Sequence, residues 1–223
     1  MARLGIIAAL LSGALVSTCA WGWAMVDHTG DDARALLEAR DEGRAAAFAD
    51  QAIEDAPAER STPIYTQTDE RWGGLPYAGA DLATSGCGLT CAAMAWEYLS
   101  GLEWTPVQML NAVGNSCTQG GQNYMPGFCE WMKRQDSSLD YTVLYESVER
   151  ALDESASGRM VFGAMSGSLT EGGREYGGHV VLITENLYGH ITIHDPCEAY
   201  ALHLTYDEFN AVAWDYFISI GRG

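Results

Sequence analysis

Apolar residues between positions 88 and 135 recur every three or four residues, the spacing of helices that bury one face. In residues 88–99 the apolar positions are Leu89, Ala92, Ala93, Met94, Trp96 and Leu99, and a Ser-Gly pair ends the run. The segment TPVQ at 105–108 combines a capping threonine, a proline at the first helical position and a glutamine three residues after the cap. A further short helix is expected over 126–135.

The pattern changes after residue 138 to short apolar or alternating runs, which indicate β-strands. Strands are predicted over 139–145, 159–165, 179–185, 190–194, 202–205 and 216–220, with helices over 147–155 and after a second capping box at TYDE, 205–208. The four residues between 185 and 190 predict a hairpin. Helices come first and antiparallel strands gather at the end, so the pattern predicts an α+β fold.

The first 61 residues differ from this pattern. Residues 4–25 are apolar and uncharged and follow Arg3, which indicates a signal peptide or a membrane anchor within 1–25. Lipidation of Cys19 is a third alternative, although Thr18 is an unusual neighbour for it. All three predict a secreted or cell-surface protein that meets the membrane only through this segment. Residues 26–61 read as an acidic, Ala-rich spacer, and 62–223 as the globular domain.

Composition narrows the function classes. Of 223 residues, 48% are hydrophobic and 19% are charged, a balance that supports a sizeable core. The formal net charge of -18 disfavours nucleic acid and anionic membrane surfaces as partners. No phosphate-binding or dinucleotide-binding glycine motif is present, and the possible ligands among 190–197 lack a paired zinc motif. The sequence therefore predicts neither cofactor nor metal, and it gives no oligomeric state.

Cysteine supplies the first candidate for chemistry. Five of the six cysteines follow the N-terminal segment, and an odd number outside the cytosol leaves one thiol unpaired. Cys87 lies between Gly86 and Gly88 at the start of a predicted helix, where free backbone N–H groups favour a thiolate. The glycines are expected to let a substrate backbone approach. A disulfide or a buried helix cap is the alternative for Cys87. Cys91, one turn later, is expected to be buried.

A histidine and an aspartate are the candidate partners of Cys87. His179 follows two glycines and opens an apolar strand. Asp195 ends the second strand of the predicted hairpin, which returns to the edge where His179 lies. A carboxylate there would fix the imidazole and stabilise its charged form, although an Asp-Pro turn is the alternative. His194 should face away from this site, because neighbouring strand residues alternate in direction.

The segments TQTDERWGG (66–74), SGCGLTCAAM (85–94) and GGHVVLITENLYGHITIHDP (177–196) together resemble the cysteine peptidase family 39-like domains, papain-fold relatives of the bacteriocin-processing peptidases. The resemblance implies a papain-like fold whose N-terminal helical part packs on an antiparallel sheet. It implies that Cys87 is the nucleophile, His179 the general base and acid, and Asp195 the orienting carboxylate. Gln67, with the backbone N–H of Cys87, would stabilise the oxyanion. Leu89 stands where relatives often have proline.

These residues predict an exported cysteine peptidase or amidase that hydrolyses a peptide bond through a Cys87 acyl-enzyme. Its substrate would be a peptide or protein, with a cell-wall peptide as one candidate. A transferase that uses the same acyl-enzyme is not distinguished. The alternative is a non-catalytic cell-surface binding domain that retains the fold. One pairing of the remaining cysteines joins Cys117 to Cys129 and Cys91 to Cys197, which leaves Cys87 free.

Overall fold

The structure is a computed structural model that describes residues 61–187 and 190–222. The predicted signal peptide or anchor over 1–25, and all but the last residue of the spacer over 26–61, lie outside the described residues. Within those residues, no helix is both long and apolar enough to cross a membrane.

The helices predicted from the apolar spacing are present. Along the described residues the helices are α1 (Leu82–Ser85), α2 (Cys87–Ser100), α3 (Pro106–Val113), α4 (Met125–Gln135), α5 (Val148–Ala156) and α6 (Tyr206–Ala211). The glutamine of the predicted capping box at α3 accepts the backbone N–H of Thr105 at 2.7 Å. At α6, Thr205 Oγ1 accepts the backbone N–H of Glu208 at 3.3 Å. Helix α1, of four residues, is too short to give a periodic signal.

The strands form one main sheet and two small hairpins. The hairpins pair β1 (Pro76–Tyr77) with β2 (Ala80–Asp81) and β3 (Thr118–Gln119) with β4 (Gln122–Asn123). The main sheet contains β5 (Leu139–Tyr145), β6 (Met160–Gly167), β7 (Tyr176–Leu187), β8 (His190–His194), β9 (Ala201–Thr205) and β10 (Ala213–Arg222). Its order is β5-β10-β6-β7-β8-β9, and all neighbours are antiparallel. The last strand therefore lies inside the sheet.

Both faces of the main sheet are buried. Phe162 and Leu182 belong to the core cluster that contains residues of α2, α3 and α4. Their chain neighbours Val161 and Val181 belong to a second cluster with residues of α5 and α6. Side chains alternate between the faces of a strand, so burial on both sides explains the continuous apolar runs of β6 and β7. The predicted α+β architecture, with the N-terminal helices packed on an antiparallel sheet, is confirmed.

The suggested disulfides Cys117–Cys129 and Cys91–Cys197 are not formed. The five cysteines of the described residues are free thiols. Three of them lie in the hydrophobic core, where a free cysteine packs as a small apolar side chain. The Cys91 thiol donates to the backbone oxygen of Val180 at 3.4 Å. Burial raises the pKa of Cys91 well above its usual value, which agrees with the predicted structural role.

Candidate active site

Cys87 is the first residue of α2, and its side chain is partly exposed. The flanking glycines are needed for packing within the protein, because a Cβ at either position would overlap neighbouring atoms. The expected approach of a substrate backbone at these glycines stays a prediction. A Cβ on Gly86 would lie 2.4 Å from the backbone oxygen of Leu82, and one on Gly88 would lie 2.6 Å from Cβ of Asn123. Any side chain at these positions would displace α1 or the β3–β4 hairpin, which lie beside Cys87.

His179 and Asp195 lie side by side, as expected from the predicted hairpin. His179 lies in β7, and Asp195 directly follows β8, which pairs with β7 in antiparallel register. His179 Nε2 is 2.7 Å from Asp195 Oδ1, and the two residues are only 5% and 3% exposed. His194 Nδ1 instead contacts the backbone oxygen of Pro63 at 3.1 Å. The alternation along β8 therefore separates His194 from the dyad.

The dyad favours an imidazolium–carboxylate pair. Burial opposes the charged imidazole, but the hydrogen bond to Asp195 and the neighbouring Cys87 outweigh it, and they raise the pKa of His179 to about 9. Burial also opposes the ionised carboxylate of Asp195, yet His179 and the backbone N–H of Cys197 hold its pKa below the usual value. The Cys197 N–H donates to Asp195 Oδ1 at 2.8 Å. Because Nε2 faces Asp195, Nδ1 is the ring nitrogen left for Cys87.

Tyr176 is a member of this site that the sequence did not reveal. Its ring stacks on the imidazole of His179 with centroids 3.9 Å apart and 5° between the planes. Its hydroxyl donates to Asp195 Oδ2 at 3.0 Å. Both contacts hold the dyad in place. The bulge where β6 meets β7 brings Tyr176 to this position, opposite Gly167, and no periodicity signals a bulge.

Asn123 is a second residue that sequence reasoning missed. Its Nδ2 donates to Cys87 Sγ at 3.4 Å and to the backbone oxygen of Ser85 at 2.8 Å. The hydroxyl of Tyr77 donates to Asn123 Oδ1 at 2.9 Å, which fixes the orientation of the amide. Cys87 also neighbours His179, where it contributes to the raised pKa of the imidazole. A polar residue of a two-residue strand, 36 positions from Cys87, gives no sequence signal.

Gln67 connects α1, which precedes Cys87, to Pro196, which follows Asp195. Its backbone N–H donates to the oxygen of Pro196 at 2.7 Å, and its Nε2 donates to the oxygen of Ala83 at 2.7 Å. The side chain is 4% exposed, and Oε1 is buried without a hydrogen-bond partner. These contacts join α1 to the segment that follows β8. The oxyanion role that the resemblance implies for Gln67 stays a prediction.

A cleft of about 310 Å³ opens beside Cys87. Its walls come from the N-terminus of α2, the β3–β4 hairpin, β7 and β10, and its lining includes Cys87, Asn123, Gly177, Gly178, His179 and Asp215. A Cβ at either glycine would meet no atom within 4 Å, so this side of the cleft is open. The nucleophile and base candidates therefore face the same space.

One group of potential metal ligands occurs among the described residues. Donor atoms of His179, Asp195 and Cys197 lie within 4.8 Å of one another. The direct hydrogen bond between His179 and Asp195 already occupies two of those donors. The ligand types noted in the sequence at His190 and His194 are not part of this group.

The chain was compared with known proteins. No family model matches it, and no curated protein is significantly similar to it. Among solved structures it is similar to a crystal structure from Bacillus anthracis of a protein provisionally described as a C39-like peptidase, with a TM-score of 0.52 and 17% sequence identity. The match covers 73% of this chain and 96% of the other. The protein therefore has the α+β fold of a C39-like peptidase.

Proposed function

We propose that this protein is an exported cysteine peptidase or amidase that cleaves a peptide bond through a Cys87 acyl-enzyme. The observation that carries the proposal is that Cys87 and His179 line one cleft, with Nε2 of His179 held by Asp195 Oδ1 at 2.7 Å. The C39-like fold of the solved structure supports a peptide substrate. Export rests on the N-terminal apolar segment of the sequence.

The first half of the reaction forms the acyl-enzyme. The proton of the Cys87 thiol passes to Nδ1 of His179 and gives a thiolate beside an imidazolium, and a lone pair of the thiolate attacks the substrate carbonyl carbon. The carbonyl π pair moves to oxygen and then returns as the C–N bond breaks. His179 gives its proton to the departing amine. The raised pKa of His179 favours the imidazolium at neutral pH, which is the form that gives a proton to the departing amine.

The second half releases the acyl group. Water loses a proton to His179 and attacks the thioester carbon, and the thiolate leaves. Asp195 stays ionised throughout and stabilises the imidazolium. Tyr176 and the Cys197 backbone N–H hold that carboxylate from its other sides.

A digestion experiment tests the proposal. Purified protein is incubated with a peptide library and, separately, with purified bacterial cell wall, and the products are identified by mass spectrometry. Wild type should release defined fragments that Cys87→Ala and His179→Gln do not. Cys117→Ala is the matched control, because Cys117 is a buried thiol away from the cleft lining. Identical profiles for wild type and Cys87→Ala would contradict the proposal and favour a binding domain.

A further inference from the structure

We propose that Asn123 is a catalytic residue that donates first to the Cys87 thiolate and then to the oxyanion of the tetrahedral intermediate. The proposal rests on the proposed function, because it assigns a further group to the same acyl transfer. Nothing in the sequence motifs or in the resemblance gives Asn123 a role.

The donor geometry is the first support. Asn123 Nδ2 directs one hydrogen to the backbone oxygen of Ser85 and the other to Cys87 Sγ, at 2.8 and 3.4 Å. Tyr77 fixes which end of the amide faces the sulfur, because its hydroxyl donates to Asn123 Oδ1. Tyr77 is itself 1% exposed. A buried tyrosine that locks the amide creates a preorganised donor beside the reacting atom.

The packing around α2 is the second support. A Cβ on Gly88 would lie 2.6 Å from both Cβ and Cγ of Asn123 and 2.7 Å from Sδ of Met125. Glycine at position 88 therefore lets the β3–β4 hairpin approach the N-terminus of α2 closely enough for the Asn123 amide to reach Cys87. The absence of a side chain at Gly88 thus makes room for Asn123.

The third support is a comparison with Gln67, to which the resemblance gives the oxyanion role. Asn123 lines the cleft, whereas Gln67 is not among the lining residues. The Gln67 amide donates to the backbone oxygen of Ala83. Among the described residues, the side-chain amide hydrogen directed at the nucleophile comes from Asn123.

Charge moves from sulfur to oxygen during acylation. The thiolate lone pair becomes the new C–S bond, and the carbonyl π pair becomes a lone pair on oxygen. The sulfur then carries no charge and is a poor acceptor, while the oxyanion lies on the carbon that is bonded to it. The Asn123 N–H that faced the thiolate is therefore next to the oxygen when the negative charge arrives. Removal of one such donor costs about 10²- to 10³-fold in rate.

Two small probes separate this role from a structural one. p-Nitrophenyl acetate acylates the thiol through a tetrahedral oxyanion, whereas iodoacetamide alkylates it by displacement at carbon and forms none. Both reactions are followed at Cys87 by mass spectrometry. In Asn123→Asp, which retains the side-chain shape and the acceptor for Tyr77 but has no N–H, acetylation should fall about 10²-fold more than alkylation. Asn123→Ala should show the same excess, and Tyr77→Phe a smaller one.

Gln119→Ala is the matched control. Gln119 belongs to the same hairpin, where it pairs with Gln122, and it is exposed and outside the cleft lining; in the described part of the chain it has no hydrogen bond to Cys87. Its acetylation and alkylation rates should equal those of wild type. Equal losses of both rates in Asn123→Asp would overturn the oxyanion role, as would unchanged rates. If wild type is acetylated no faster at position 87 than at its other thiols, the proposed function itself fails.

Discussion

The ring of Tyr176 lies flat on the imidazole of His179, at 3.9 Å between centroids, while its hydroxyl holds Asp195 Oδ2 at 3.0 Å. One side chain thus contacts both members of the dyad. An aromatic face also stabilises the cationic form of the ring stacked on it.

Separate variants distinguish the two contacts of Tyr176. Tyr176→Phe removes only the hydrogen bond and should lower kcat/KM about 5-fold, the value of one hydrogen bond of about 1 kcal/mol. Tyr176→Leu also removes the stack and should lower it further. Steady-state kinetics on a peptide released in the digestion experiment measure both. If kcat/KM of Tyr176→Leu equalled that of wild type, neither contact would position His179.

Asp195→Asn should change the pH dependence of catalysis. Wild-type kcat/KM should decline as pH rises through about 9, because His179 then loses the proton that it gives to the leaving amine. The amide cannot stabilise the imidazolium as a carboxylate does, so in Asp195→Asn the decline should move toward pH 6.5. The rate at neutral pH should fall by about 10²- to 10⁴-fold. If kcat/KM declined at the same high pH in wild type and in Asp195→Asn, the assignment of that decline to His179 would be contradicted.

The raised pKa of His179 also predicts how the stability of the fold depends on pH. The pKa of His179 is raised in the folded state from 6.5 to about 9, so the folded protein holds this proton more tightly than the unfolded chain. The resulting stabilisation is fully present below pH 6.5 and is lost as pH rises through about 9. His179→Gln lacks this contribution. The difference in unfolding free energy between wild type and His179→Gln, measured in urea, should therefore shrink from pH 6 to pH 10. A constant difference would contradict the raised pKa.

Gly88→Ala tests the close approach of the β3–β4 hairpin to α2. The added Cβ would overlap Asn123 and Met125, so we expect a loss of about 1–3 kcal/mol in unfolding free energy, the usual cost of overpacking. Gly177→Ala is the control for stability, because a Cβ there meets nothing within 4 Å. Urea midpoints measure both. Equal stability of Gly88→Ala and wild type would show that the hairpin packs differently.

Sequence reasoning predicted the elements of the fold and the dyad because both depend on local patterns. Apolar spacing indicated α2 and β6, and the hairpin placed Asp195 beside His179. The position of β10 inside the sheet depends instead on pairing between residues more than 50 positions apart, such as Ile218 with Phe162. No period in the sequence encodes that partner.

The rest of the site was missed for a related reason. Asn123 and Tyr77 come from separate short hairpins, and only the folded chain brings them to Cys87. The number of cysteines suggested disulfides that are not formed, because Cys91 and Cys129 pack in the core as free thiols. Counting residues cannot separate a core thiol from half of a disulfide.

The central claim is that Cys87 is the reactive thiol and that His179 activates it. The most direct measurement is labelling of the native protein with substoichiometric iodoacetamide, followed by peptide mapping. We expect the adduct on Cys87, with little on Cys91, Cys117, Cys129 or Cys197. The labelling rate at neutral pH should fall at least 10-fold in His179→Gln, because the thiolate is the species that reacts. A first adduct on another cysteine, or an unchanged rate in His179→Gln, would contradict the account.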